Sequence, residues 1–200
     1  MSSPHDLVLA SANAGKITEL QQMLGGLGVK IIPQTDLDIP DIEETGLTFV
    51  ENAILKARNA AALSNRPAIA DDSGLEVDFL QGAPGIYSAR FAGEGAGDKA
   101  NKEKLLQLMA DVPADQRSAR YQTVIVYMRH GNDPTPIICQ GTWEGMIATE
   151  SRGDQGFGYD PIFYVTETNC HAAELDKVTK NRLSHRGKAI ANLLQQLQPR

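Results

Sequence analysis

Apolar residues recur along the chain with two different periods, and the switches between them outline its elements. Residues 6–12 (DLVLASA) form a short apolar run that predicts a buried strand. From Lys16 to Leu24 the apolar residues Ile17, Leu20, Met23 and Leu24 take helical spacing, with Gly25 and Gly26 as the stop. Val29 to Ile32 reads as a second strand, followed by Pro33, and the acidic stretch from Asp36 to Gly46 as a loop. The clearest helix runs from Thr48 to Ser64. Phe49, Ala53, Ala57 and Ala60 make one stripe, and Thr48 and Glu51 have the spacing at which each side chain can bond the other's backbone N–H. Pro67 to Ala70 predicts a strand that ends at Asp71-Asp72-Ser73-Gly74, with another beginning over Leu75 to Val77. Gly82 to Gly97 is a glycine-rich loop or flap, and Lys99 to Ala110 a helix. Two β-branched, aromatic stretches, Ala119 to Arg129 and Ile137 to Thr149, flank the turn residues Gly131 to Pro134. They predict a hairpin and a sheet that is partly antiparallel. A second glycine-rich loop (153–160), a short strand (161–165) and two helices (175–183 and 187–197) close the chain. The class is α/β with a mixed sheet.

Composition narrows the function. The chain has 200 residues, 42% hydrophobic and 22% charged, which suits one packed domain or two small lobes. A net charge of −6 argues against a general binder of nucleic acid and leaves room for a small anionic ligand held by local cations. Cys139 and Cys170 lack paired spacing, so neither a disulfide scaffold nor a zinc site is expected; Cys170-His171 alone is a weak metal signal. No basic segment precedes a long apolar run, and no stretch approaches the ~20 apolar residues of a membrane span. A soluble cytoplasmic protein is the expectation.

Four constellations carry possible chemistry. Ser11-Ala12-Asn13-Ala14-Gly15-Lys16 lies between the first strand and the first helix, where free N–H groups and the helix dipole suit a phosphate. It departs from a P-loop twice, at Ala10 and at Ile17. A plain helix cap by Asn13 explains it equally well. The Asp71-Asp72 pair, with Glu43 and Glu44, offers oxygen ligands for magnesium, which takes one or two carboxylates plus substrate phosphates. Adjacent strand residues face opposite ways, so only one Asp need face such a site; the other would fix the turn or cap a neighbouring backbone. In Gly156-Phe157-Gly158-Tyr159-Asp160-Pro161 two glycines flank an aromatic, which allows a ligand ring to stack on Phe157. A loop aromatic folded into the core explains it too. Lys180 with Ser184-His185-Arg186-Gly187 is a donor cluster, or a helix terminus with His185 and Arg186 solvated.

Taken in order, SANAGK, EETG, TFVENAILKA, AIADDSGLEV, GAPGIYSAR, GFGYDPIF and SHRG resemble the inosine triphosphate pyrophosphatase family from about Leu7 to Leu197. The resemblance implies a single nucleoside-triphosphate pyrophosphatase domain over 1–200. Its fold would be elongated and two-lobed around a long mixed sheet, with the site in a cleft between the lobes and a homodimer as the assembly. It implies phosphate contacts at Ser11, Asn13, Lys16, Lys56 and Ser73, and magnesium at Glu44 and Asp72, with Asp72 also activating water. It implies base contacts at Phe157, Gly158, Tyr159, Asp160, Lys180, His185 and Arg186. The substrates would be ITP, dITP and XTP, with no nucleic-acid or membrane partner. Asp71, Cys170 and His171 receive no role from it. The runner-up readings are a pyrophosphatase for modified pyrimidine nucleotides and a nucleotide sensor with no need of Asp72.

Overall fold

The most continuous apolar run, β1 (Asp6–Ala10), lies one strand in from the edge of a sheet that, among the described residues, has seven strands ordered β2-β1-β3-β4-β5-β6-β7. The computed structural model describes residues 6–25 and 30–197. The other strands are β2 (Lys30–Pro33), β3 (Ala68–Val77), β4 (Ser118–Met128), β5 (Ile137–Ile147), β6 (Phe163–Val165) and β7 (Cys170–His171). β1 pairs in parallel with β2 and β3, whereas β5–β6 and β6–β7 are antiparallel. The sheet is mixed, as the hydrophobic pattern requires. Pro33 is tolerated in β2 because that strand is at the sheet edge, where a missing N–H breaks no central ladder. β4 and β5 are neighbours joined by residues 129–136.

Among the described residues five α-helices accompany the sheet: α1 (Ala14–Leu24), α2 (Phe49–Ser64), α3 (Gly97–Leu108), α4 (Lys177–Leu183) and α5 (His185–Leu197). Their starts follow side-chain chemistry. Asn13, Thr48 and Asp176 each accept a first-turn N–H, which satisfies a donor the helix itself leaves open. Among the described residues no helix is long and apolar enough to cross a membrane.

The contacts divide the chain into two units. The first comprises 1–72, 123–141 and 186–200, and the second 73–122 and 142–185. Strand alternation sets the layers of the first. Val8, Ala10, Ala68, Ala70, Val124 and Val126 pack against the alanine stripe of α2 (Ala53, Ala57, Ala60, Ala61). Leu7, Leu9, Ile69 and Ile125 pack against α1 (Leu20, Leu24) and α5 (Ala189, Ile190, Leu193). Even positions of β1 and β3 thus face α2, and odd positions face α1 and α5. The second unit has its own core, in which Leu75, Leu105, Met109, Trp143 and Phe163 are buried. Buried Arg117 donates there to the carbonyls of Met109, Val112, Ile147 and Ala148, so its charge is well solvated by backbone.

Three expectations need correction. The Asp pair does not end a strand, because β3 continues through Asp71-Asp72-Ser73-Gly74 to Val77. Gly74 is needed there for closeness, since a Cβ would lie 2.2 Å from the Gly85 carbonyl oxygen. The helix read as starting at Gly187 starts at His185, and both His185 and Arg186 are buried rather than solvated. Cys170-His171 forms a short strand that the sequence pattern did not foresee. Gly26 and Val29, which the pattern assigned to a helix stop and a strand, lie outside the described residues.

Candidate active site

The alternation that layers the first unit also separates the two aspartates. Asp71 follows the odd positions, toward α1 and α5, and Asp72 the even ones, toward α2. The Asp71 side chain is fully buried and accepts from Lys16 Nζ at 2.7 Å and from Arg186 Nε at 3.2 Å and Nη2 at 3.3 Å. The Thr123 hydroxyl donates to it at 2.5 Å. Arg186 also donates to Glu19 Oε2 at 2.5 Å. Burial alone would raise the Asp71 carboxyl, but Arg186 and Lys16 outweigh it and hold the group well below the ordinary range. Asp71 therefore fixes no turn. It is the acceptor at the centre of a buried ion cluster.

Asp72 meets a different cation. Its Oδ1 accepts from Lys56 Nζ at 2.7 Å, and the same ammonium donates to Glu44 Oε1 at 2.8 Å and to the Asp71 carbonyl at 2.8 Å. Burial pushes the Asp72 carboxyl up, and the pull of Lys56 and Lys16 only partly offsets it. Burial also works against the Lys56 charge, yet Asp72 and Glu44 outweigh it and raise the amine. Two carboxylates from separate segments thus converge on one cationic point. That donor set fits magnesium, which needs few protein ligands when substrate phosphates complete its shell. Among the described residues no group of three or more His, Cys, Asp or Glu is arranged to hold an ion unaided.

At the first strand-to-helix turn, Ser11 Oγ accepts from Asn13 N at 3.2 Å and Asn13 Oδ1 from Lys16 N at 3.0 Å. The cap reading of Asn13 holds, and the turn aims the Lys16 side chain at Asp71. Burial lowers the Lys16 amine even against the attraction of Asp71. Ser73 follows Asp72 in β3, half-buried.

The second unit gathers the remaining predicted residues. Asp160, buried, accepts from Phe157 N at 2.9 Å, from Lys180 Nζ at 2.7 Å and from the Tyr121 hydroxyl at 3.2 Å. Lys180 Nζ lies 5.5 Å from the centroid of the Phe157 ring, within cation–π range. Gly156 has φ +78°, and a Cβ on it would fall 2.1 Å from Asp160 Oδ2, so only glycine allows this closure. The Tyr159 hydroxyl donates to the Ser88 carbonyl at 2.8 Å, and burial raises its phenol. The His185 ring stacks on Tyr121 with centroids 4.7 Å apart and planes 9° from parallel. Phe157, Asp160, Lys180 and His185 are therefore joined through Tyr121, which sequence reasoning missed.

Lys16, Glu44, Lys56, Asp72 and Arg186 come together in the first unit, and 157–160 with Lys180 and His185 in the second. Glu19 and Thr123 were also missed. Glu19 had a signal, since it sits three residues beyond Lys16 on the same face of α1. His171 instead serves the fold: its Nδ1 bonds the Pro161 carbonyl at 2.7 Å, and its ring meets Tyr164 edge-on at 5.7 Å.

Fold and side chains together define an α/β protein with two carboxylates of one strand paired to cations from three helices, and an aromatic loop braced by a buried lysine. The chain belongs to the Ham1 family, whose model matches residues 7–196. A dITP/XTP pyrophosphatase of Vibrio parahaemolyticus is 57% identical over 191 residues, 96% of each chain. The structure of a HAM1 protein from Coxiella burnetii superposes with a TM-score of 0.88 at 51% identity, covering 96% of this chain and 98% of that one. The Staphylococcus aureus Ham1 protein gives a TM-score of 0.82 at 45% identity, covering 96% of each chain.

Proposed function

We propose that this protein hydrolyses non-standard purine nucleoside triphosphates, ITP, dITP and XTP, to the monophosphate and pyrophosphate. Hydrolysis of a phosphoric anhydride agrees with the dITP/XTP pyrophosphatase relatives. The observation that carries the reading is the convergence of Asp72 and Glu44, from separate segments, on the Lys56 ammonium.

Lys16 and Lys56 hold the pyrophosphate portion, with Ser11, Asn13 and Ser73 as hydrogen-bonding contacts. Glu44 and Asp72 would hold magnesium, which when bound neutralises charge that develops on the phosphates. Asp72 orients a water and takes its proton as the oxygen attacks the α-phosphorus. The bond from that phosphorus to the bridging oxygen breaks, and pyrophosphate leaves with the electron pair. A carboxyl raised by burial is a better base near neutral pH than an ordinary aspartate.

Phe157 provides the stacking face for the base, and the 156–160 loop its frame. Arg186 or His185 supplies the donor for a 6-keto group. Adenine would place its 6-amino donor against a donor, a mismatch that rejects strongly. Guanine shares the 6-keto group and must be refused at its 2-amino group. The protein would act as a cytoplasmic homodimer that clears such nucleotides from the pool.

Asp72→Asn tests the reading. Calorimetry should show ITP affinity within a few-fold of wild type, while kcat falls by ~10²–10⁴, the usual worth of a positioned base. Unchanged turnover would remove Asp72 from the mechanism.

A further inference from the structure

On α3, Asp98, Asn101 and Lys104 recur every three residues and so share one side of the helix. Buried Asn101 accepts from Ala92 N at 2.7 Å and donates to the Ala89 carbonyl at 3.0 Å. Lys104 donates to the Phe91 carbonyl at 2.5 Å and lies over the Phe91 ring at 4.5 Å. These bonds fasten the helix to residues 89–92 and give it a fixed place in the second unit. Asp98 uses that fixed place differently. It is exposed, and its Oδ2 accepts from Gly158 N at 2.7 Å, sixty residues along the chain.

Gly158 lies in the loop that carries Phe157. Its neighbours have their own anchors: Phe157 N bonds Asp160, and the Tyr159 hydroxyl bonds the Ser88 carbonyl. Gly158 has φ +61° with open space where a Cβ would stand, and the carbonyl of the same peptide, that of Phe157, accepts a long bond from Asp160 N at 3.3 Å. The peptide that follows Phe157 is held by Asp98 through a charge-assisted bond, which is stronger than one between neutral groups.

We infer that Asp98 is a positioning residue for the base platform: its carboxylate sets the peptide plane after Phe157 and thereby the tilt of the ring that stacks on the substrate base. The inference rests on the reading of Phe157 as that platform. It predicts an effect on affinity for a base-bearing ligand and none on the chemical step, because Asp98 touches neither Asp72 nor a lysine of the phosphate set among its hydrogen bonds. Water competes for an exposed bond, so the effect should be modest, about three- to tenfold.

The test uses the full chain and compares wild type, Asp98→Ala, Asp98→Asn, Phe157→Ala and the Asp98→Ala/Phe157→Ala double variant. KM and kcat are measured for ITP, with the exchange rate of the Gly158 amide followed by NMR and melting temperature as a folding check. Asp98→Ala should raise KM about three- to tenfold with kcat within about twofold, and should speed exchange at Gly158. Asp98→Asn keeps an acceptor oxygen and should recover most of the KM. In the Phe157→Ala background, Asp98→Ala should add nothing further, because both act through one ring. An unchanged KM, a loss confined to kcat, or additive effects in the double variant would overturn the inference. Wild type that turns over ITP while the effects add would remove this inference alone. Wild type that releases no pyrophosphate from ITP would remove the proposed function and this inference with it.

Discussion

Replacing Asp71 with asparagine keeps the volume of the side chain and deletes its charge. Arg186 is 3% exposed and would retain Glu19, but would lose its bonds from Nε and Nη2 to a carboxylate. Lys16, whose side chain is 17% exposed, would lose its 2.7 Å partner. Removing one partner of a buried ion pair leaves uncompensated charge and costs about 3–5 kcal/mol. Residual access of water to Lys16 argues for the lower end, about 3 kcal/mol. In a chain of this size each kcal/mol moves the melting temperature by about 2–4 °C, so a fall of about 6–12 °C is expected. The pH dependence gives a second readout. Arg186 and Lys16 depress the folded Asp71 below its unfolded value of about 3.9. The carboxylate's stabilisation is then fully present above the unfolded value and is lost as pH falls through the lower folded one. The gap in stability between wild type and Asp71→Asn should stay constant from about pH 5 to 8 and narrow only in stronger acid. Scanning calorimetry across pH reads both quantities. A fall of less than about 2 °C, or a gap that widens in acid, would refute the argument.

Three further outcomes are expected. Lys16→Ala should raise the KM for ITP by about tenfold or more, since the proposed function gives its charge to the substrate phosphates; an unchanged KM in steady-state kinetics would refute that role. Phe157→Ala would remove the proposed base stack, worth about 1–3 kcal/mol, so KM should rise about five- to a hundredfold, and a KM that does not move would place the ring in the fold rather than the site. Arg186→Ala should damage ITP and XTP hydrolysis far more than it raises ATP hydrolysis. Because the guanidinium also completes the Asp71 cluster, melting should fall as for Asp71→Asn, with the two losses non-additive; an equal kinetic effect on every base would leave Arg186 a purely structural role.

Local signals carried much of the fold. The α2 helix was legible because its alanine stripe and Thr48 cap agree, and both lie within its own residues. The mixed sheet followed from the turn residues between β4 and β5. The opposite orientations of Asp71 and Asp72 were also legible, since alternation is a property of any strand. Their place within a strand was not. Asp, Ser and Gly favour turns in isolation, and what overrides them here is remote: Lys16 on α1, Thr123 on β4 and Arg186 on α5. The burial of Arg186 was invisible for the same reason, because its partners Asp71 and Glu19 stand 115 and 167 residues away. The 156–160 loop announced itself through its glycines. Tyr121, which joins His185 to Asp160, is one aromatic in an ordinary strand pattern and carries no local mark.

The central claim is attack at the α-phosphorus of a non-standard purine nucleotide. It is tested most directly by product analysis with magnesium, offering ITP, XTP, ATP and GTP separately and assaying pyrophosphate and orthophosphate in each. Pyrophosphate and monophosphate from ITP and XTP, with little from ATP and GTP, are the expected products. Orthophosphate in place of pyrophosphate would put the attack at the γ-phosphorus and contradict the account, and no product from any of the four would contradict it altogether.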